Sequence, residues 1–443
     1  MDSCLTRAAR VRVWIPRFAS GCENKGPGRP TTGVQSAGKY LEAIMPVSRR
    51  HFLTAFTAGT AVAAAGRVIP FEAGWARDFE LKTAAAFALP QTATAPARHS
   101  SRAAHARGGR GAIILSSNEN PYGAPPKVAA VMQQCLAVTN RYPFVQQHEL
   151  VAALARTLRR SEQELLVGCG STEVLRMAAA AYTGPGKRLI VPHPTFESIE
   201  WYATNCGAET VRVPLTSTWA HDLDAMLAAT RGHSGLIYIC NPNNPTATLT
   251  PRKQLAEFLT RVPAEFTVLL DEAYHHFAVG EPEYQSFLAD GGGNPRVVVA
   301  RTFSKVYGMA GLRLGYAAGS REAIAPMAKC QLQDNVNMLA AQCGAAALED
   351  DAGMLAASKR IVGDREAFLA ASRARKLHVM PSSANFAMVE TGRPVRDVIA
   401  GFRERGISIG RPFPTLEKWA RVSFGTPEEM KAFWDAWDEM KIG

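Results

Sequence analysis

From residue 111 onward, short apolar runs alternate with longer segments of helical pattern, and no other feature of the chain constrains its fold as much. "ELLVGCG" (164–170), "RLIVPHP" (188–194), "GLIYICNPNNP" (235–245), "TVLLDEAY" (267–274) and "RVVVARTFSK" (296–305) read as buried strands. Between them lie amphipathic or alanine-rich stretches such as "STEVLRMAAAAY" (171–182) and "PRKQLAEFLTRVPA" (251–264). Strand, helix and strand in alternation predict an α/β fold with a mostly parallel sheet covered on both faces. After Gly319 the pattern changes. A long helical stretch (321–350) leads to a helix in "GDREAFLAASRAR", a strand in "NFAMVE", a helix in "VRDVIAGFRERG", strands in "ISIGRPF" and "WARVSFG", and a closing helix in "PEEMKAFWDAWDEM". This reads as a smaller α+β domain at 336–443 beside a large domain at 146–335. Residues 111–145 form an arm that joins the small domain.

The formal charge of +11 raises the question of nucleic acid. The charge is not spread evenly. Residues 1–110 hold 16 Lys+Arg and 6 Asp+Glu, whereas the remaining 333 residues hold 34 and 33. A nearly neutral body does not support a polyanion-binding surface. No apolar stretch reaches membrane-spanning length, so stable membrane insertion is not expected.

The basic excess belongs to a segment of another kind. "SRRHFL" (48–53), with Arg49, Arg50, Phe52 and Leu53, precedes the mildly apolar "TAFTAGTAVAAAG" and resembles a twin-arginine export signal. The expected layout is an upstream extension at 1–44, a signal at 45–76 and a linker at 77–110. The twin-arginine translocation machinery would then be a partner, and the destination periplasmic or exported. An Arg-rich, acid-poor leader also fits an organellar transit peptide, and a cytoplasmic location is the remaining alternative. Six of the 8 cysteines lie in the body without C-x-x-C spacing, and His275 and His276 are adjacent on a helix, so no metal site is expected. Cys169 and Cys240 end apolar runs and read as small core residues.

Each strand of the large domain ends in polar residues. In open α/β sheets the carboxyl ends of the strands line one crevice, so residues far apart in sequence converge there. Lys305, held in a dry site, can lose its proton and attack a carbonyl to form an imine. Gly170, Ser171 and Thr172 open a helix whose free N–H groups favour a phosphate. Ser304 and Arg313 add a hydroxyl and a cationic fork for the same oxygens. A phosphate pocket beside such a lysine points to pyridoxal 5'-phosphate. An ionised Asp271 would keep the ring nitrogen of that cofactor protonated. Tyr274 and Asn244 are candidates to hydrogen-bond its phenolic oxygen, and Phe196 to stack on its face. Each residue also has an ordinary structural reading: a solvated lysine at a strand end, a helix-capping aspartate, a turn asparagine, a core phenylalanine. "GCGSTE" lacks the third glycine of a dinucleotide fingerprint.

The stretches "LSSNENPYGAPP", "NRYPFVQQHEL", "GCGSTEV", "PHPTFES", "CNPNNPTAT", "LLDEAYHHF", "RTFSKVYGMAGLRLGY", "PSSANFAMVE" and "WARVSFGTPEEM" resemble the fold-type I, class I/II aminotransferases, with wording closest to histidinol-phosphate aminotransferases. The resemblance covers residues 111–443. It implies the aspartate-aminotransferase fold, a homodimer with shared active sites, and transfer of an amino group between an amino acid or amine and a 2-oxo acid such as 2-oxoglutarate. Lys305, Asp271 and Tyr274 would then be catalytic. Tyr142 would reach the cofactor phosphate of the neighbouring subunit. Arg421 would pair with the substrate carboxylate, and Arg411 would be a second basic group near the far end of the substrate. A decarboxylase or lyase on the same scaffold, or a non-catalytic binding protein derived from it, would keep the same fold. One departure stands out. Where the family has "NPTG" this chain has "NPTA", and Ala247 is expected to be strained if the position needs positive φ.

Overall fold

The computed structural model describes residues 112–289 and 294–442, all within the unit Ala97–Gly443. The extension, export signal and linker expected at 1–110 lie outside the described residues. Eleven strands are present among those described: β1 (Ile113–Leu115), β2 (Leu165–Cys169), β3 (Arg188–His193), β4 (Glu209–Pro214), β5 (Gly235–Cys240), β6 (Phe266–Asp271), β7 (Val297–Thr302), β8 (Leu314–Gly319), β9 (Phe386–Glu390), β10 (Ile407–Ile409) and β11 (Trp419–Ser423).

Seven of them form one sheet in the order β2-β8-β7-β6-β5-β3-β4. All pairings from β7 to β4 are parallel, while β8 runs antiparallel to both β7 and β2. The carboxyl ends of β2, β3, β5, β6 and β7 therefore share one edge. The strands are apolar on both faces because both are covered. Leu236, Tyr238 and Cys240 of β5 pack into one core with the helix Ser171–Tyr182, and Ile237 and Ile239 pack into another with the helix Arg252–Arg261. Burying a Leu, Ile or Val side chain contributes about 1.5–3 kcal/mol, so such a sheet is anchored from both sides.

Most of the chain beyond residue 350, together with Ile113 and Leu115 of β1, builds a separate core. β9 pairs antiparallel with β11 and β1 pairs parallel with β10. Phe368, Phe402, Phe433 and Trp437 close around these strands from the helices Asp351–Ala374, Val395–Glu404 and Pro427–Glu439. The last of these opens with a capping box between Thr426 and Glu429.

Two expectations need correction. The stretch 321–350 is two helices, Arg321–Ala328 and Met338–Leu348, not one. The polar run between them leaves the helix because Gln331 and Asn335 donate to the Val167 carbonyl of β2, and the Asn337 side chain caps the second helix. Cys169 is exposed rather than core, because it is the last residue of β2 and stands at the rim of the sheet. Cys240 is buried as expected. No helix among the described residues is long and apolar enough to cross a membrane.

Candidate active site

The shared strand edge opens into a cavity of about 340 Å³, lined by residues of β6 and β7, of the loops that follow β2, β3, β5 and β7, and of the Arg411–Arg421 segment. Lys305, Asp271, Tyr274, Asn244, Phe196, Ser171, Thr172, Ser304, Arg313, Arg411 and Arg421 all line it. Gly170 lies directly behind: a Cβ there would stand 2.2 Å from Nη2 of Arg313, and its φ of +77° is one that side chains disfavour. Tyr142 is the exception. It is 74% exposed and stacks on Phe144 at 5.6 Å, away from this cavity.

At one end of the cavity hydrogen-bond donors cluster. Arg313 donates from Nη1 to Ser304 Oγ at 3.3 Å and from Nη2 to Thr172 Oγ1 at 3.4 Å, at the start of the helix Ser171–Tyr182. These long bonds between a guanidinium and two hydroxyls, beside a helix N-terminus and with no carboxylate in the group, form a cradle suited to a phosphate.

Lys305 follows β7 by three residues. Its Nζ donates to the Ser117 carbonyl at 3.3 Å and lies 5.7 Å from the centre of the Tyr274 ring. Burial, reinforced by the positive charge of Arg421, holds its pKa down at about 8. A substantial share of the amine is therefore neutral near physiological pH, as a nucleophile requires. Asp271 ends β6 and is 3% exposed. Burial raises its carboxyl to about 6, against the opposing pull of a bond from Tyr238 Oη at 2.8 Å and one from the Ala273 N–H at 3.0 Å. The Tyr274 hydroxyl accepts from Asn118 Nδ2 at 3.0 Å, and burial pushes its pKa well up.

Asn244 and Arg421 meet in the same cavity. Arg421 Nη1 donates to Asn244 Oδ1 at 2.7 Å and Nη2 to the Ser116 carbonyl at 2.8 Å, while its Nε is buried without a partner. Burial lowers its pKa to about 10, which marks a guanidinium short of compensating negative charge. Ala247, three residues past Asn244, does adopt the left-handed region at φ +65°. The loop holds nonetheless: the Ala247 N–H donates to the Asn243 carbonyl at 2.7 Å and the Ser383 N–H to the Ala247 carbonyl at 2.9 Å.

Three contributors escaped sequence reasoning. Tyr238 lies inside an apolar run and reads as core; only the pleat shows its hydroxyl reaching Asp271. Asn118 sits in "SSNEN", whose polarity suggests no more than a loop, yet it is 2% exposed and also donates its N–H to Ser423 Oγ at 2.8 Å. Glu197 forms an ion pair with Arg411 across 214 residues of sequence, which no local pattern reveals.

Comparison with known proteins agrees with this geometry. The family model "Aminotransferase class I and II" matches residues 110–436. Histidinol-phosphate aminotransferase from Symbiobacterium thermophilum is 38% identical over 327 residues, covering 73% of this chain and 89% of the relative. An aromatic amino acid aminotransferase from Rhodococcus jostii is 37% identical over 327 residues, covering 73% and 88%. The crystal structure of histidinol-phosphate aminotransferase from Sinorhizobium meliloti, in complex with pyridoxal-5'-phosphate, superimposes with a TM-score of 0.70 at 25% identity, covering 78% of this chain and 95% of that one. An amine held near neutrality, a buried acid and a hydroxyl–guanidinium cradle suit one cofactor, and the chain belongs to the class I and II aminotransferases, with the aspartate-aminotransferase-like α/β fold and pyridoxal 5'-phosphate as its cofactor.

Proposed function

We propose that this aminotransferase takes its amino group from an aromatic L-amino acid or a histidinol-phosphate-like amine and passes it to a 2-oxo acid such as 2-oxoglutarate. The observation that carries this reading is Arg421, a half-buried guanidinium with a buried, unpartnered Nε and no carboxylate bonded to it. It is placed to receive one anionic group of a donor, a carboxylate or a phosphate, and its planar fork suits either. The Phe413 and Phe386 rings lie 5.1 and 5.5 Å from its Cζ and give that end of the pocket an aromatic wall.

In this reading Gly170, Ser171, Thr172, Ser304 and Arg313 hold the cofactor phosphate, and Phe196, Asn244 and Tyr274 position its ring. When bound, pyridoxal phosphate supplies the electron sink that makes a hydrogen on the donor's reacting carbon removable. Lys305 Nζ takes that proton as general base and later returns it. Asp271, ionised above pH about 6, holds a compensating positive charge at the buried end of the pocket. Tyr274 and Asn244 restrain the groups between.

The second subunit completes the assembly. Leu136, Tyr142, Phe144, Val145 and Leu332 are each at least 60% exposed, an apolar surface suited to a homodimer in which Tyr142 reaches the neighbour's cofactor phosphate. Export through the twin-arginine route to the periplasm rests on "SRRHFL" and the alanine-rich run after it. Fractionation tests this, and a full-length chain confined to the cytoplasm overturns it. For the reaction, the decisive assay presents the holoenzyme with histidinol phosphate and with aromatic and acidic amino acids. Conversion of the cofactor to its amine form by histidinol phosphate or the aromatic donors is expected. Release of carbon dioxide without that conversion would mean a decarboxylase instead.

A further inference from the structure

Arg421 and Arg411 both lie against Phe413, with Cζ atoms 5.1 and 4.4 Å from the ring centre, yet their electrostatic surroundings differ. Arg421 has no carboxylate bonded to it. Arg411 is already taken: its Nη2 donates to Glu197 Oε2, and its Nη1 to the Pro412 carbonyl at 3.1 Å. Glu197 directly follows Phe196, which lines the cavity, and precedes the helix Ser198–Asn205. The distal end of the pocket therefore presents a closed ion pair instead of a lone cation.

We propose that Glu197 is a specificity-determining residue, which by holding Arg411 biases the site toward donors whose side chains carry no second acid. This rests on the aminotransferase reading above and adds a charge rule to it. A donor with a neutral side chain meets Arg421 alone and leaves the distal pair intact. A dicarboxylic donor brings a second carboxylate toward Arg411 and has to displace Glu197 before that carboxylate finds a cation. The side chains of Arg411 and Glu197 are 52% and 51% exposed, so water and counterions weaken their attraction and the pair opens at modest cost. The same pocket then tolerates an acidic substrate, such as a 2-oxo diacid acceptor, while favouring neutral donors.

The test compares L-phenylalanine and L-glutamate as donors in the half-reaction of the holoenzyme, followed by the absorbance of the cofactor. Glu197→Gln frees Arg411, so the KM for L-glutamate is expected to fall about threefold while that for L-phenylalanine stays constant, a size set by the modest strength of exposed ion pairs. Arg411→Gln is expected to raise the KM for L-glutamate by a larger factor than that for L-phenylalanine. Lowering the ionic strength should widen the difference between wild type and Glu197→Gln. Equal shifts for both donors, or no shift for L-glutamate, would overturn the proposal while leaving the aminotransferase reading in place. A wild-type holoenzyme that converts neither donor, nor any other amine, would overturn that reading and the charge rule with it.

Discussion

The two ends of the pocket solve opposite electrostatic problems. At the reaction end, Asp271 is buried and Lys305 half-buried, and desolvation pulls both pKa values toward neutrality. At the distal end, Arg411 and Glu197 are half exposed, and their pairing is displaceable. Moving a proton requires groups whose charged and neutral forms are close in free energy, and desolvation provides that. Recognising alternate substrates requires charges that are cheap to rearrange, and solvent provides that.

The sharpest way to break this contrast is Lys305→Ala. It should still take up the cofactor through the phosphate cradle, yet turnover is expected to fall at least about a thousandfold, since general-base catalysis is lost outright. Activity close to wild type would remove Lys305 from the reaction. Asp271→Asn comes next, with an expected loss of about a hundredfold in the donor half-reaction at unchanged cofactor content; a normal rate in single-turnover measurements would show the buried acid to be structural.

A smaller effect tests the network behind the acid. The Tyr238 hydroxyl bond lowers the Asp271 pKa, so Tyr238→Phe should raise that pKa above its present value of about 6. Activity that needs the ionised acid disappears as pH falls through the pKa, so the acid limb of the pH–rate profile should move to higher pH, with a rate loss of about tenfold at neutrality. An unmoved limb would mean that Tyr238 only packs. On the lysine side the neutral amine is the reactive form, so capture of the aldehyde should slow as pH falls below about 8. The smallest effect belongs to Ala247→Gly, on the loop that presents Asn244. Relief of a left-handed alanine is offset by loss of a fully buried methyl and by the greater freedom of unfolded glycine, so thermal unfolding should change by less than about 1 kcal/mol. A large loss would show that the methyl holds the loop in place.

Much of the sheet was legible because buried strands are continuous apolar runs, and β3, β5, β6 and β7 announce themselves that way. β4 and β8 were not foreseen. "ETVRVP" is half polar because β4 is an edge strand, and "LGYAAG" is small and glycine-containing where the helix Ser171–Tyr182 approaches closely enough that a Cβ on Gly315 would stand 2.2 Å from the Ser171 nitrogen. Lys305, Asp271 and Ser304 could be picked out because strand ends converge by topology, whereas Tyr142, Arg411 and Arg421 came from the family resemblance and from no position along a run. Asn118, Tyr238 and Glu197 were not found, since each acts through a partner more than thirty residues away.

The sequence by itself determined the strand–helix alternation, and with it a carboxyl edge bearing a lysine, an acid, an amide, a phenol and an arginine. Periodicity and turn chemistry are local properties, and they survive in a one-dimensional string. Only the tertiary structure decided which of two similar arginines is left without a carboxylate and which is neutralised, and how far burial moves Lys305 and Asp271 toward neutrality. Those outcomes depend on desolvation and on contacts between distant segments, and both exist only after the chain has closed around the pocket.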